Sequence, residues 1–395
     1  MKKIAIISPG TLPLPHVQGG AVESLIELLR KQNEGAANTK LVLFSIYTAE
    51  AQREAQKTPN TDYYFIKIPF LVQKMDKLVF KFAQKVLHKQ NARSFRYLFQ
   101  RLYYIYQTAR QLKQNNYARV ILENHTSLLL VLKLFGNYHK YQGHYYYHMH
   151  NRITDLYFCS TIFKHSAAII GVSSYILSTL PEEFNQTPRV VLKNRVDTVS
   201  FCRPFSKRTL VSIRKKFNLG NKKVVVFSGR ISYEKGIQQL LKAWQKLKLS
   251  NAILLIVGNS FFKSDVQTEF EKQMMRITQG MDNIRFTGFI DYKLMPMIYH
   301  LADLVVLPSI WDDPAPLTVV ETLTVGRPLI TTNAGGIPEY ADSNTTILKR
   351  NSYLVDNLAS AIQQKLQSKN MINKKDKSNW SPDKYYQQMM EILKV

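Results

Sequence analysis

The stretch KVVVFSGRISYEKGIQQLLKAWQKL, residues 223–247, decides the fold. An apolar run short enough for a buried strand passes through a polar loop with glycines at 229 and 236 into a segment of helical character. The same unit repeats downstream. ILLIVGN (253–259), IRFTGF (284–289), DLVVLPS (303–309) and RPLITTN (327–333) read as strands, with helices such as DVQTEFEKQMMRI between them. It repeats upstream as well. Lys3–Ser8 is a strand, and AVESLIELLRK after Gly20 is an amphipathic helix with Val22, Leu25, Ile26 and Leu29 on one face. LVLFSIY (41–47), YFIKIPF (64–70), RVILENH (119–125) and AAIIGVS (167–173) are further apolar runs ended by polar residues. Alternation of this kind implies parallel sheets with helices on both faces, an α/β class. Two successive sets of units place a boundary near 190–205, within RVVLKNRVDTVSFCRP, and WSPDKYYQQMMEILKV reads as a terminal helix after a polar linker at 368–379.

The composition bounds the partners. A chain of 395 residues with 45% apolar and 21% charged residues is globular and long enough for two substantial cores. Two cysteines, Cys159 and Cys202, give neither a disulfide framework nor a metal-site spacing. MKKIAIISPG has too short an apolar part for a signal peptide, and no apolar run approaches a membrane span. The expected location is the cytoplasm. A formal charge of +26 calls for an anionic partner: nucleic acid, anionic lipid or a phosphorylated substrate.

Much of that charge lies in residues 67–119, where twelve Lys/Arg face a single acid, Asp76, among ten Phe/Tyr. KMDKLVFKFAQKVLHKQ puts Leu78, Phe82 and Val86 on one helical face and Lys74, Lys77, Lys81 and Lys85 largely on another. One reading is an amphipathic helix pair covering a sheet. The other is an interfacial helix drawn to anionic headgroups. No nucleic-acid module surrounds the segment, so nucleic acid is not expected.

Two strand–loop–helix turns are built to hold phosphate, because helix N-termini and backbone amides collect at the carboxyl edge of a parallel sheet. The first ends at Gly19-Gly20. The second, SGRISYEKG (228–236), adds Arg230 and Lys235, two cations suited to a diphosphate and to the charge it gains on leaving. No GxGxxG follows either strand, which counts against a nicotinamide enzyme. Asp313 in PSIWDDPAPLTVVETLTVG (308–326) and Glu321 eight positions on are carboxylates placed to hold sugar and ribose hydroxyls. Thr318-Val-Val-Glu321 also matches a capping box, which would make Glu321 a helix-start residue only.

In order and spacing, SGRISYEKG, LLIVGN, IRFTGFID, LVVLPSIWDDPAPLTVVE and GGIPE resemble the nucleotide-sugar domain of glycosyltransferase family 4, with the GT-B fold. The early Gly-Gly, YHMHN (147–151) and NRVD (194–197) are similar to that family's glycine loop, histidine-bearing strand end and linker. The resemblance implies two Rossmann-like domains facing a cleft: 1–200, completed by a crossover helix at 380–395, for the acceptor, and 201–379 for the donor. It implies a retaining transferase that moves a sugar from a nucleoside-diphosphate sugar, expected to be a UDP-sugar, to a hydroxyl of a glycan or lipid-linked glycan. That activity fits surface polysaccharide synthesis at the inner face of a bacterial membrane. Arg230 and Lys235, with Gly229 in their loop, would grip the diphosphate, and Gly19 and Gly20 would approach it. Glu321 would bind ribose, Asp313 the sugar, and the amides near Leu317 and Thr318 phosphate or sugar. Groups near Phe289 and Ile290 would read the base. His150 matches the active-site histidine, with His148 the alternative. No metal or other cofactor is expected. The chain departs from the family at Asp313, Pro316 and Arg195, which stand where glutamate, glycine and glycine are usual. The rival class is a non-catalytic basic protein on a degenerate GT-B fold that binds membrane or nucleic acid through 67–119.

Overall fold

The computed structural model describes residues 1–36, 39–86, 97–259, 268–368 and 380–394. They form two compact units. The first comprises Met1–Val172, Ile176–Leu192 and Tyr386–Val395, and the second Ser173–Tyr175 and Lys193–Tyr385.

The first unit is a seven-stranded sheet made of β1 (Lys2–Ile7), β2 (Thr39–Ile46), β3 (Thr61–Ile66), β4 (Arg119–Glu123), β5 (Tyr145–Met149), β6 (Ala168–Gly171) and β7 (Arg189–Val191). Its order is β3-β2-β1-β4-β5-β6-β7, with every pair parallel. The second is a six-stranded sheet of β8 (Lys223–Ser228), β9 (Ala252–Val257), β10 (Ile284–Gly288), β11 (Leu304–Leu307), β12 (Leu329–Thr332) and β13 (Thr345–Leu348). Its order is β10-β9-β8-β11-β12-β13, and its named strands also pair in parallel. Both sheets reverse direction of growth once, at β1/β4 and at β8/β11. Those are the switch points where open α/β sheets bind ligands.

The central strands are nearly continuous Val, Ile and Leu because helices cover both faces. Val224, Val225, Val226, Leu254, Leu255 and Ile256 are fully excluded from solvent. Helix Ile237–Leu247 closes one face of the second sheet by burying Ile237, Leu240, Leu241 and Trp244. The short strands β7 and β13 have no apolar run that stands out in the sequence. β3 starts before YFIKIPF and stops before Pro69, a residue that cannot donate to a ladder.

The division between the units falls at Leu192–Lys193, earlier than the expected 200/201 boundary. Helix Thr198–Cys202 goes with the second unit because the Phe201 ring packs on Tyr292 and Tyr299, with centroids 5.9 and 6.1 Å apart. From Tyr386 onward the terminal helix Pro382–Leu393 belongs to the first unit. Tyr386 Oη donates to Asn33 Oδ1 (3.0 Å), and Arg119 Nε donates to the Leu393 carbonyl (2.6 Å). All but Ser368 of the expected linker at 368–379, and the start of DVQTEFEKQMMRI, lie outside the described residues. The rest of that segment is helix Glu269–Ile277.

Candidate functional site

At the switch point of the second unit, the loop after β8 lies against the loop after β11. The amides of Ile310 and Trp311 donate to the Glu234 carbonyl (3.0 and 3.2 Å). Gly236, at φ 70°, caps helix Ile237–Leu247, and a Cβ there would stand 1.8 Å from the Pro308 carbonyl oxygen. Only glycine permits both that backbone conformation and that approach. Across this seam Lys235 Nζ donates to the Asp313 carboxylate. Arg230 is half exposed and 3.5 Å from Glu234, an exposed pair of the kind worth little, so it can exchange Glu234 for a ligand anion. Two cations thus share one loop beside a helix N-terminus, with Gly229 at φ 150° making the turn out of β8.

The two adjacent acids have separate partners. Asp312 Oδ1 accepts from Arg350 Nη2 (2.6 Å) and the Gly335 amide (3.2 Å), whereas Asp313 takes Lys235. Gly336 N donates to the Asp313 carbonyl (2.9 Å), and a Cβ on Gly336 would stand 2.0 Å from the Pro314 oxygen. The Gly-Gly of GGIPE therefore lets the two loops touch. Pro316 is the N-cap of helix Leu317–Val325 with no side-chain cap, so the capping box legible in Thr318 and Glu321 does not form. The amides of Leu317 and Thr318 begin this helix, where no intrahelical carbonyl serves them. Glu321 is buried and accepts from Tyr299 Oη (2.7 Å). Burial pushes its carboxyl up to about 6, against the hydrogen bonds of Tyr299 and Tyr292. Phe289 and Ile290, just after β10, line a cavity of about 590 Å³ with Arg208, Lys216 and Leu294.

The first unit has its own edge. Gly19 and Gly20 stand at φ 96° and 110°, and Gly20 precedes helix Ala21–Glu34. In the first turn of that helix Glu23 is buried, and burial raises its carboxyl to about 7. β4 ends at Glu123, β5 carries His148, and the chain leaving β5 carries His150. Both histidines converge on one oxygen: His150 Nε2 and His148 Nδ1 are each 3.0 Å from Glu123 Oε2, and the rings are 4.1 Å apart. The His150 contact has hydrogen-bond geometry, while His148 Nδ1 sits beside the oxygen off the hydrogen-bond line. Burial opposes charge on Glu123, but His148 and His150 overcome it and hold the carboxyl at about 2. Burial, reinforced by His148, keeps His150 neutral down to about 4. The arrangement holds His150 as a neutral imidazole in a fixed orientation. The three ligand atoms lie within 4.8 Å of one another, a grouping that can also hold a divalent cation.

Glu123 is the site residue that reading the sequence missed. Its only signal was its place at the polar end of the apolar run RVILENH. Of the four lysines read as a membrane-facing set, Lys74, Lys77 and Lys81 are exposed on helix Phe70–Val86. The Lys85 side chain lies outside the described residues.

Two parallel sheets of this order, each presenting loops at its switch point, define the GT-B fold, and solved structures share it over the whole chain. A glycosyltransferase of Rickettsia africae superposes with a TM-score of 0.71 at 18% identity, covering 100% of this chain and 98% of that one. HepE of Anabaena, solved in complex with UDP-glucose, gives 0.71 at 16% identity with complete coverage of both. Residues 211–380 match the family described as glycosyl transferases group 1. YtcC of Bacillus subtilis is 29% identical over 219 residues, 53% of this chain and 54% of that one. The lipopolysaccharide 1,2-N-acetylglucosaminetransferase of Salmonella typhimurium is 28% identical over 200 residues, 49% and 50% of the two chains. The chain spans about half the length of the curated relatives it matches.

Proposed function

We propose that the protein is a retaining glycosyltransferase that transfers a sugar from a UDP-sugar to a hydroxyl of a glycan or lipid-linked glycan in surface polysaccharide synthesis. The observation that carries this reading is the pair of cations, Arg230 and Lys235, beside a helix N-terminus at the second sheet's switch point, with Asp313 paired to Lys235. The UDP-glucose bound to HepE and the acceptor named for the Salmonella relative support the donor and acceptor classes.

In this reading the sugar C1–O bond breaks with its electron pair going to the phosphate oxygen. Arg230, Lys235 and the amides of Leu317 and Thr318 stabilise the charge that forms there. The acceptor oxygen bonds to C1 on the face the phosphate leaves, and its proton passes to that phosphate oxygen, which preserves the anomeric configuration. Lys235 exchanges Asp313 for phosphate as the donor arrives, freeing the carboxylate for sugar hydroxyls. Glu321 is assigned to ribose, and groups near Phe289 and Ile290 to the base. In the first unit, Gly19 and Gly20 are assigned to the phosphate and His150 to the reacting sugar. No step needs a metal.

Release of UDP from a UDP-sugar in the presence of a glycan acceptor tests the assignment. Lys235→Ala is expected to lower the rate ~10²–10³-fold, the usual cost of one preorganised contact to a leaving charge. EDTA is expected to leave it unchanged. An unaltered rate in Lys235→Ala would contradict the reading. Loss of activity in EDTA would instead assign a cation to Glu123, His148 and His150.

A further inference from the structure

Helices Phe70–Val86 and Leu98–Gln114 carry an apolar surface that is exposed among the described residues. On the first, Leu71, Met75, Leu78 and Phe82 recur at helical spacing and all are exposed, Leu78 at 61% and Phe82 at 62%. Phe70, at 73%, extends the stripe at its start. Leu98, Leu102 and Tyr106 form an exposed stripe on the second, opposite a face that buries Tyr104, Ile105, Ala109 and Leu112. The second stripe continues into loops: the Tyr106 ring meets Phe135 (5.6 Å), and Lys133 Nζ lies 6.0 Å from the Phe158 ring. Phe135 and Phe158 both stand at positive φ, 55° and 58°, a conformation rare for bulky residues, and Phe158 is 96% exposed. Strained backbone that holds aromatics out in solvent marks a surface with a use.

The charge around these stripes selects the occupant. Lys74, Lys77 and Lys81 are exposed on the first helix, and Arg110, Lys113 and Lys133 are exposed along the second stripe. The one acid of the segment, Asp76, is buried, with its two oxygens accepting from the amides of Phe99 (2.8 Å) and Gln100 (3.0 Å). It ties the two helices together and contributes nothing to their outer face. A second copy docked here would set these cations against the same cations. A bilayer rich in anionic lipid matches both the charge and the apolar stripes.

We infer that this helix pair, with Phe135 and Phe158, is a docking face for an anionic lipid bilayer. The face belongs to the first unit and is independent of the donor assignment; it gives a lipid-linked acceptor the surface on which it resides. The test is co-flotation of the full chain with phosphatidylglycerol-containing vesicles and with pure phosphatidylcholine vesicles, at low and at physiological salt. The wild type is expected to float with the anionic vesicles and not with the zwitterionic ones, less completely at the higher salt. Combined Lys74→Glu, Lys77→Glu and Lys81→Glu substitution is expected to weaken partitioning by about 100-fold or more, from roughly a factor of five for each lysine removed. Leu78→Ser with Phe82→Ser is expected to weaken it at both salt concentrations. Every changed position is exposed, and an unchanged far-UV circular dichroism spectrum and denaturation midpoint would show that the variants fold as the wild type does. No flotation of the wild type with anionic vesicles, or equal flotation of wild type and both variants, would overturn the inference. So would a wild-type dimer that the apolar variant converts to monomer while vesicle binding stays the same, because the occupant would then be a second copy.

Discussion

His150 and Glu123 show at the scale of single residues how burial is turned to use. A carboxylate shut away from water is costly unless it is paired, and here one oxygen hydrogen-bonds His150 with His148 close beside it. We regard Glu123 as a positioning residue that fixes the tautomer and direction of His150. Glu123→Gln is expected to lower kcat ~10–100-fold, the usual cost of losing a partner that orients a functional imidazole, with little change in donor KM. A lowered denaturation midpoint with kcat and KM both intact would assign Glu123 to the fold alone. Glu23 answers to pH. Its folded pKa of about 7 lies above the ordinary 4.5, so the folded chain holds a proton that the unfolded chain releases between those values. Stability is therefore lost as pH rises from 4.5 through 7, by on the order of 3 kcal/mol. Glu23→Gln is expected to raise the denaturation midpoint at pH 8 and to change it little at pH 4. Equal effects at both would show that the Glu23 carboxyl titrates alike in the folded and unfolded chain.

Loops are the elements in which structure and chemistry meet, and Gly236 joins two of them. Gly236→Ala adds a Cβ against the Pro308 carbonyl at a positive φ. It is expected to destabilise the second unit by about 1–3 kcal/mol and to displace Lys235, so that UDP-sugar affinity falls along with the midpoint. Unchanged binding and stability would mean the seam is looser than its geometry. These elements also mark how far the sequence could be read. Apolar runs announced the central strands, and the loop SGRISYEKG announced its cations, because both signals are local. Glu123 was not legible, since nothing local tells a strand-end carboxylate that will meet two histidines from one that will face water. The rejected capping box has the same origin. Thr318 and Glu321 have the right spacing, but Tyr299, from another helix, takes the carboxylate. The exposed stripes on Phe70–Val86 and Leu98–Gln114 were ambiguous for that reason too. Periodicity gives two faces to a helix and says nothing of which one the fold will bury.

The whole molecule repeats one plan: two parallel sheets, each with a single switch point and a glycine-bearing loop following its first strand. The units differ in what gathers near those loops. In the second, Arg230 and Lys235 sit on the loop itself, and in the first, Glu123, His148 and His150 gather at the ends of β4 and β5. That is the division expected if one binds a diphosphate and the other serves the reacting sugar and its acceptor. The most direct measurement is a thermal-shift panel of UDP-, GDP-, dTDP- and ADP-sugars on the wild type and on Arg230→Ala. The account predicts that the UDP-sugars stabilise the wild type, by about 2.7 kcal/mol at a hundredfold excess over Kd, and that this stabilisation disappears in the variant. A folded wild type indifferent to every nucleotide sugar, or an Arg230→Ala protein stabilised to the same extent, would contradict it.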